Sequence, residues 1–514
     1  MHQTTESGEL AGRREWVGLY VLSIACLIYS MDLSVLFLAM PAIVADLQPS
    51  AAELLWINDI YGFMVAGFLV TMGTLGDRIG RRRVLLAGAL AFGSASALAA
   101  FSTSAQQLIV ARALLGIAGA TIAPSTLSLI VNLFKNEGER NRAIGIWGTA
   151  FALGGLIGPV LGGLLLQYFH WGSVFLINIP VMLALLVAGP LLLPEYKNAD
   201  GARIDLLSVV FSLAAVLPVI YGLKHMAAYG FQPDQAAALA IGLAFGFAFI
   251  SRQKKLTHPL IDLNLFRIPA FSASLAVNLA GVFFIFGIFL YQNLFLQLVT
   301  GLSPFEAAIW SVPSSMIFTI MSLQAYRFTN RLGPSKTVIL GLVVNAIGIA
   351  AMGLAAYNQS AVGILAASMV IAVGFVPVIL TTTGLIVGTV PPERAGSASA
   401  ISETSAEFGG ALGVAILGSI GTVIYRSAMT GADLSGLTPQ QVEAVSSTLA
   451  SAADVAKSLG TETAPAWLSI ARTGFSLGFA ACCLLATIAL LTLAAVAHRI
   501  YAKEHIDEST LSAH

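Results

Sequence analysis

Four acids stand inside stretches of sequence otherwise suited to lipid, Asp32, Asp59, Glu403 and Glu407, and one base, Arg112, has a similar setting. A charged carboxylate at the centre of a bilayer costs about 2.5–3.5 kcal/mol on insertion scales, so such residues are expected to carry function. The chemistry open to them is the exchange of one positive guest for another. Surroundings of low polarity favour the protonated acid, and a nearby cation favours the carboxylate. An acid so placed can hold a proton while its site is empty and release it when an organic cation arrives. Glu403 and Glu407 are four residues apart and share one helical face. At 1.5 Å per residue they lie roughly 12–18 Å into their helix, near the bilayer midplane. Arg112, at a depth similar to Asp32, needs a partner or a wet cavity, and backbone carbonyls could supply the partner. Glu407 adjoins Gly409 and Gly410 and could serve helix packing instead. Asp59, in W56-I-N-D-I-Y61, could be a water-facing acid at the outer mouth.

The elements that must position these residues are membrane-spanning helices. The chain of 514 residues is 57% hydrophobic and only 10% charged, with a mean hydropathy of +0.85. Soluble domains carry about a quarter charged residues. Lys+Arg and Asp+Glu are both 26, so no nucleic-acid partner is expected. Cys26, Cys482 and Cys483 all fall in apolar runs and make neither a disulfide framework nor a metal site. No metal-spaced His/Asp/Glu cluster, phosphate loop or nucleophile elbow is present in the sequence. The expectation is therefore a protein that is not an enzyme, with no catalytic residues, cofactor or metal. The first apolar run is too long for a cleaved signal and contains Asp32, so it reads as a first spanning helix.

Fourteen apolar runs approach the roughly 20 residues needed to cross a bilayer. They cover about 16–40, 53–75, 84–102, 107–132, 143–168, 172–193, 206–223, 235–251, 270–299, 305–326, 337–356, 361–389, 395–425 and 468–497. With a cytoplasmic N-terminus, 21 of the 26 basic residues fall on the inner side, which sets both termini inside. G76-D-R-I-G80 is echoed by T329-N-R-L-G333, E139-R-N-R-A143 by E393-R-A-G-S397, and G154-G-L-I-G158 by G409-G-A-L-G413, at offsets of 253 to 255. Three echoes in order at nearly one offset indicate two homologous six-helix halves. The expected units are a first bundle at 1–193, two inserted helices with their connections at 194–269, and a second bundle at 270–514. That last unit includes an outer loop, 426–467, in which T438-P-Q-Q441 has the pattern of a capped helix start.

These motifs resemble those of the major facilitator superfamily, and in particular its fourteen-helix drug:proton antiporters. The resemblance covers essentially the whole chain. G73-T-L-G-D-R-I-G-R-R-R83 is similar to the superfamily's cytoplasmic signature, R112-A-L-L-G116 to its fourth-helix arginine motif, and G154-G-L-I-G-P-V-L-G-G163 to the antiporter motif. M31-D, Pro41 and D46-L47 resemble the first-helix signature of the fourteen-helix branch. The resemblance implies an all-α membrane protein of 6 + 2 + 6 helices that exports lipophilic or quaternary ammonium cations, biocides and dyes among them, in exchange for protons. It further implies a monomer in the cytoplasmic (inner) membrane whose partners are cationic small molecules, protons and lipids. By the same resemblance Asp32, Asp59, Glu403 and Glu407 handle proton or cation, and Arg112 tunes Asp32. Gly73, Asp77, Arg78, Gly80 and Arg81 form a cytoplasmic latch. Gly154, Gly158, Pro159, Gly162 and Gly163 form a bend that restrains proton leak. The family's quaternary-ammonium pumps can carry a further acid in the tenth span; W310-S-V-P-S-S-M-I-F-T-I-M321 has none. A proton-coupled transporter of another small molecule, an anionic metabolite, an antibiotic or a lipid, is the alternative, but an anion carrier wants Lys or Arg in its cavity and only Arg112 qualifies. Aromatic candidates for the substrate wall are Tyr29, Trp56, Tyr61, Trp147, Trp310 and the run V282-F-F-I-F-G-I-F-L-Y-Q-N-L-F-L296.

Overall fold

A computed structural model describes residues 10–49, 51–197, 205–229, 233–256, 259, 261–302, 304–391, 395–459 and 466–503. Among them every regular element is helical: α1 (Arg13–Leu47), α2 (Ala51–Ile79), α3 (Arg81–Ala100), α4 (Ala105–Gly119), α5 (Ile122–Leu133), α6 (Glu137–Tyr168), α7 (Ser173–Leu176), α8 (Asn178–Leu192), α9 (Leu206–Tyr229), α10 (Pro233–Gln253), α11 (Pro269–Leu294), α12 (Pro304–Leu332), α13 (Pro334–Tyr357), α14 (Ala361–Gly388), α15 (Ala395–Met429), α16 (Pro439–Ser447), α17 (Leu449–Ser458) and α18 (Ala466–Lys503). Helices suit lipid because each pairs its own backbone groups.

All fourteen predicted runs fall on helices, two of them interrupted. The run 107–132 is divided between α4 and α5 at Ala120 and Thr121. Pro124 sits in the first turn of α5, where its missing N–H costs least. The run 172–193 is divided at Ile177. Eleven helical segments among the described residues are long and apolar enough to cross a membrane. The fourteen crossings expected from sequence would add α6, whose first turns are charged, α12, and α9, whose apolar stretch Leu207–Gly222 is shorter.

Buried apolar side chains gather in two large cores. One spans Leu19 to Leu193, with Val387 and Ala395 added from the other half. The second spans Ala270 to Tyr501. Corresponding helices pack alike: α6 lies along α1, and α15 along α11. Glycine makes both contacts possible. A Cβ on Gly154 would strike the Leu27 carbonyl of α1, and a Cβ on Gly409 would come within 2.6 Å of the Leu279 carbonyl of α11. The first echo is visible in the backbone too, since Gly80 and Gly333 both take positive φ (120° and 81°) immediately before α3 and α13. The outer loop forms α16, started by the full capping box of Thr438 and Gln441, and then α17. Val445, Leu449 and Ala452 from these helices enter the second core, and the Tyr425 hydroxyl donates to the Val445 carbonyl.

Candidate functional site: a sealed ion pair and an acid-lined cavity

Asp32 and Arg112 meet. Arg112 Nη1 donates to Asp32 Oδ2 at 2.7 Å, and the side chains are 0% and 1% exposed. Asn178, at the start of α8, donates to Asp32 Oδ1 at 3.0 Å and lies 3.1 Å from Ser96 Oγ of α3. The guanidinium also rests 4.6 Å from the centre of the Tyr61 ring, with Nε directed at the Ile57 carbonyl at 3.4 Å. Four elements (α1, α2, α4 and α8) thus hold one ion pair, and its charge-assisted bonds offset the cost of removing both ions from water. Asp32 is thus fully buried within the first half.

The cavity between the halves belongs to other residues. It measures about 300 Å³ and is walled by Trp147, Gly148 and Phe151 of α6, Asn278 and Val282 of α11, Phe318 and Ser322 of α12, Val376, Ile379, Leu380 and Thr383 of α14, and Ser402, Glu403 and Ala406 of α15. No Lys or Arg is among its lining residues. Glu403 is half-buried in this wall, and Glu407, one turn on, is exposed. The cavity is apolar and aromatic with few polar groups and one acid, which suits a lipophilic guest of positive charge. Asp59 lies in α2, but its side chain is outside the described residues.

Of the aromatic candidates, Trp147 lines the cavity. Its indole N–H donates to Thr126 Oγ1 (3.1 Å), which also contacts Cys26 Sγ (3.2 Å). Tyr29 and Tyr61 are buried behind it. Trp56 stacks on Tyr221 of α9 instead, and Phe286 and Phe289 of the α11 run, four and seven residues on from the cavity-lining Val282, are exposed on the same helical face. Asn178, Asn278, Phe318 and Ser402 were not identified from sequence. For the two asparagines a signal existed, an isolated amide in an apolar run, which in lipid needs a partner as an acid does.

At the end of the bundle expected to face the cytoplasm, Asp77 joins the halves. Arg81 Nε donates to Asp77 Oδ1 at 2.8 Å, and Asp77 Oδ2 accepts from both the backbone N–H and the hydroxyl of Ser397, each at 3.0 Å. Ser397 is in the first turn of α15, where a helix favours a negative charge. Around this turn, the Glu195 carboxylate packs against Gly80, accepts from the Arg82 N–H at 3.1 Å, and lies within 4 Å of the Arg82 and Arg83 side chains. Gly73 and Gly76 are buried, and Arg78 is half-buried. The same end is closed further by Gly145, against the Ser322 carbonyl, and Gly148, under Leu380. Gly154, Gly158 and Gly162 are buried in α6, with Gly162 under Val35 of α1. Pro159 and Gly163 lie in α6, and their surroundings are outside the described residues.

Two pseudo-equivalent helical bundles closing on an acid-lined cavity define a multi-pass, all-α membrane protein. The chain belongs to the Major Facilitator Superfamily, whose family model matches residues 22–414. It is 40% identical over 484 residues to the multidrug efflux pump LfrA of Mycolicibacterium smegmatis, covering 94% of this chain and 95% of that protein. It is 32% identical over 472 residues to the methyl viologen resistance protein SmvA of Salmonella typhimurium, covering 90% and 93%. Among solved structures it is similar in fold to the human organic anion transporter MFSD10, with a TM-score of 0.60 at 13% identity over 93% of this chain and 99% of that one. A bacterial homologue of the lysosomal transporter Spinster matches with a TM-score of 0.56 at 17% identity, covering 96% and 99%.

Proposed function

We propose that the protein is a proton-coupled exporter of lipophilic and quaternary ammonium cations in the cytoplasmic membrane, acting as a monomer with both termini inside. The observation that carries this reading is Glu403 in the wall of an aromatic cavity that has no cationic lining residue. A flat or quaternary cation gains ring contacts of about 0.5–2 kcal/mol each from Trp147, Phe151 or Phe318. Its charge meets Glu403, which gives up its proton, so that proton and drug occupy the site in turn. The proton gradient then makes the exchange directional. In this scheme Glu407 extends the acidic face toward the mouth, Asp59 stands near the entrance, and Asp32 with Arg112 sets the second protonation site. Asp77 latches one face while the other is open. The names of the relatives, a multidrug efflux pump and a methyl viologen resistance protein, support the same class of cargo.

The test is reconstitution in liposomes with an imposed pH gradient and ethidium. Proton-driven movement of the dye, lost when Asp32→Asn and Glu403→Gln are combined, is expected. Failure of the gradient to move ethidium, with movement surviving in the double variant, would remove the mechanism. An anionic dye carried in place of ethidium would point to an anion carrier.

A further inference from the structure

Four aromatic rings run from the cavity to the sealed ion pair. Trp147 and Phe151, both on the cavity wall, meet edge to face at 4.7 Å between centres and 65° between planes. Phe151 meets Tyr29 at 5.7 Å and 75°, and Tyr29 meets Tyr61 at 6.3 Å and 42°. Tyr61 then carries Arg112 over its face at 4.6 Å, and Arg112 holds Asp32. We propose that Tyr29 and Tyr61 are positioning residues that couple occupancy of the cavity to the Asp32–Arg112 pair. The inference rests on the proposed function for its physiological meaning, since it links the cation's site to a proton site that the cation does not touch.

Three observations carry it. Asp32 is fully buried and absent from the cavity lining, so a guest does not touch it and any influence carried by packing passes through intervening groups. Tyr29 and Tyr61 fill that gap and are themselves buried, 5% and 0% exposed. Tyr29 lies within electrostatic reach of Glu403 and Glu407, and Tyr61 within reach of Asp32 and Arg112, so the two rings stand between the acids of the two halves. The rings have little room to yield. A Cβ on Gly119 would come within 3.1 Å of the Tyr61 hydroxyl and 3.2 Å of the Tyr29 ring. In an interior packed to the density of a crystal, a ring that tilts must displace its neighbour. A cation entering against Trp147 and Phe151 therefore moves Tyr29, then Tyr61, and with it the face on which the guanidinium rests. Arg112 then changes its grip on Asp32. The Tyr61 hydroxyl is buried without a hydrogen-bond partner, so the ring rather than the hydroxyl performs this role.

Contiguity alone does not establish coupling; a double-mutant cycle does. Ethidium affinity is measured by dye fluorescence on the purified full-length protein, in the native, Tyr61→Phe and Tyr61→Leu backgrounds, each with and without Asp32→Asn. The expected result is a shift in Kd of about fivefold on Asp32→Asn in the native and Tyr61→Phe backgrounds, at the lower end of couplings between separate sites. In the Tyr61→Leu background the shift disappears. Should Tyr61→Leu not fold, Tyr29→Leu takes its place with the same expected loss. An Asp32→Asn shift of undiminished size without the ring, or none in any background, overturns the proposal. Liposome transport separates this from the proposed function. If the cycle is non-additive but a pH gradient never moves ethidium, the function fails and the relay stands. An additive cycle beside driven transport has the reverse meaning.

Discussion

In the N-terminal half the acid of the first helix, Asp32, is sealed from solvent and tied to Arg112 and Asn178; in the C-terminal half Glu403 stands in a cavity wall with no base beside it. The pseudo-repeat sharpens the contrast. At the offset that carries Gly154 to Gly409, Glu403 corresponds to Gly148, and Gly148 lines the same cavity on the facing helix. Duplication thus left one scaffold with two electrostatic designs, a compensated charge on one side and an uncompensated acid on the other. The turns before α3 and α13 differ in the same way. Gly80 and Gly333 share a left-handed backbone, but Asp77 and Arg81 in the first half stand against Asn330 and Pro334 in the second. The first of these turns reaches across with its acid, to Ser397, whereas the second keeps Arg331 but has no acid.

The largest way to break the comparison is Arg112→Ala. Removing one partner strands a buried charge and costs about 3–5 kcal/mol, whereas Glu403→Gln, with no partner base in the cavity lining, is expected to cost under about 1 kcal/mol. Thermal unfolding in detergent checks both, and similar losses for the two variants would erase the distinction between the halves. A middle-sized effect tests the symmetry of packing instead. Gly154→Ala and Gly409→Ala each push a methyl into a facing backbone carbonyl, and each is expected to cost about 1–3 kcal/mol. Unequal costs would show that the two helix contacts are not equivalent.

How much of this was legible in the sequence depends on the kind of constraint. Arg112's need for a partner was legible because lipid leaves a guanidinium few alternatives, and the family resemblance pointed to Asp32. The start of α16 could be read because Thr438, Pro439 and Gln441 encode a cap locally. Asn178 and Asn278 were missed because an amide is a weaker violation of an apolar run than an acid. Glu195 was missed because its role comes from folding the segment after α8 back onto Gly80, a contact across more than a hundred residues. The break between α4 and α5 and the π turn at Phe295–Val299 that follows α11 were hidden inside uniformly apolar runs, where hydropathy carries no phase.

The smallest effect lies in neither bundle. Asp205, just before α9, accepts from Arg252 Nε at 2.7 Å and from Ser208 Oγ at 2.8 Å. The hydrogen bond from Arg252 is the main cause that draws its carboxyl down from 3.8 to about 2. A lowered value in the folded state means stability that is complete above the ordinary aspartate range and fades as pH falls toward about 2. The pair is partly exposed, so Asp205→Asn is expected to lower the melting temperature slightly at neutral pH. That difference should close on acidification; a difference that widened in acid would show that another group dominates there.

The central claim is that a carboxylate in the cavity trades a proton for a cation. Its most direct measurement is proton release when ethidium is added to the purified protein in weakly buffered detergent solution. Release that saturates with dye binding and is abolished in Glu403→Gln is the predicted result. Binding without release, or release unchanged in Glu403→Gln, would contradict it.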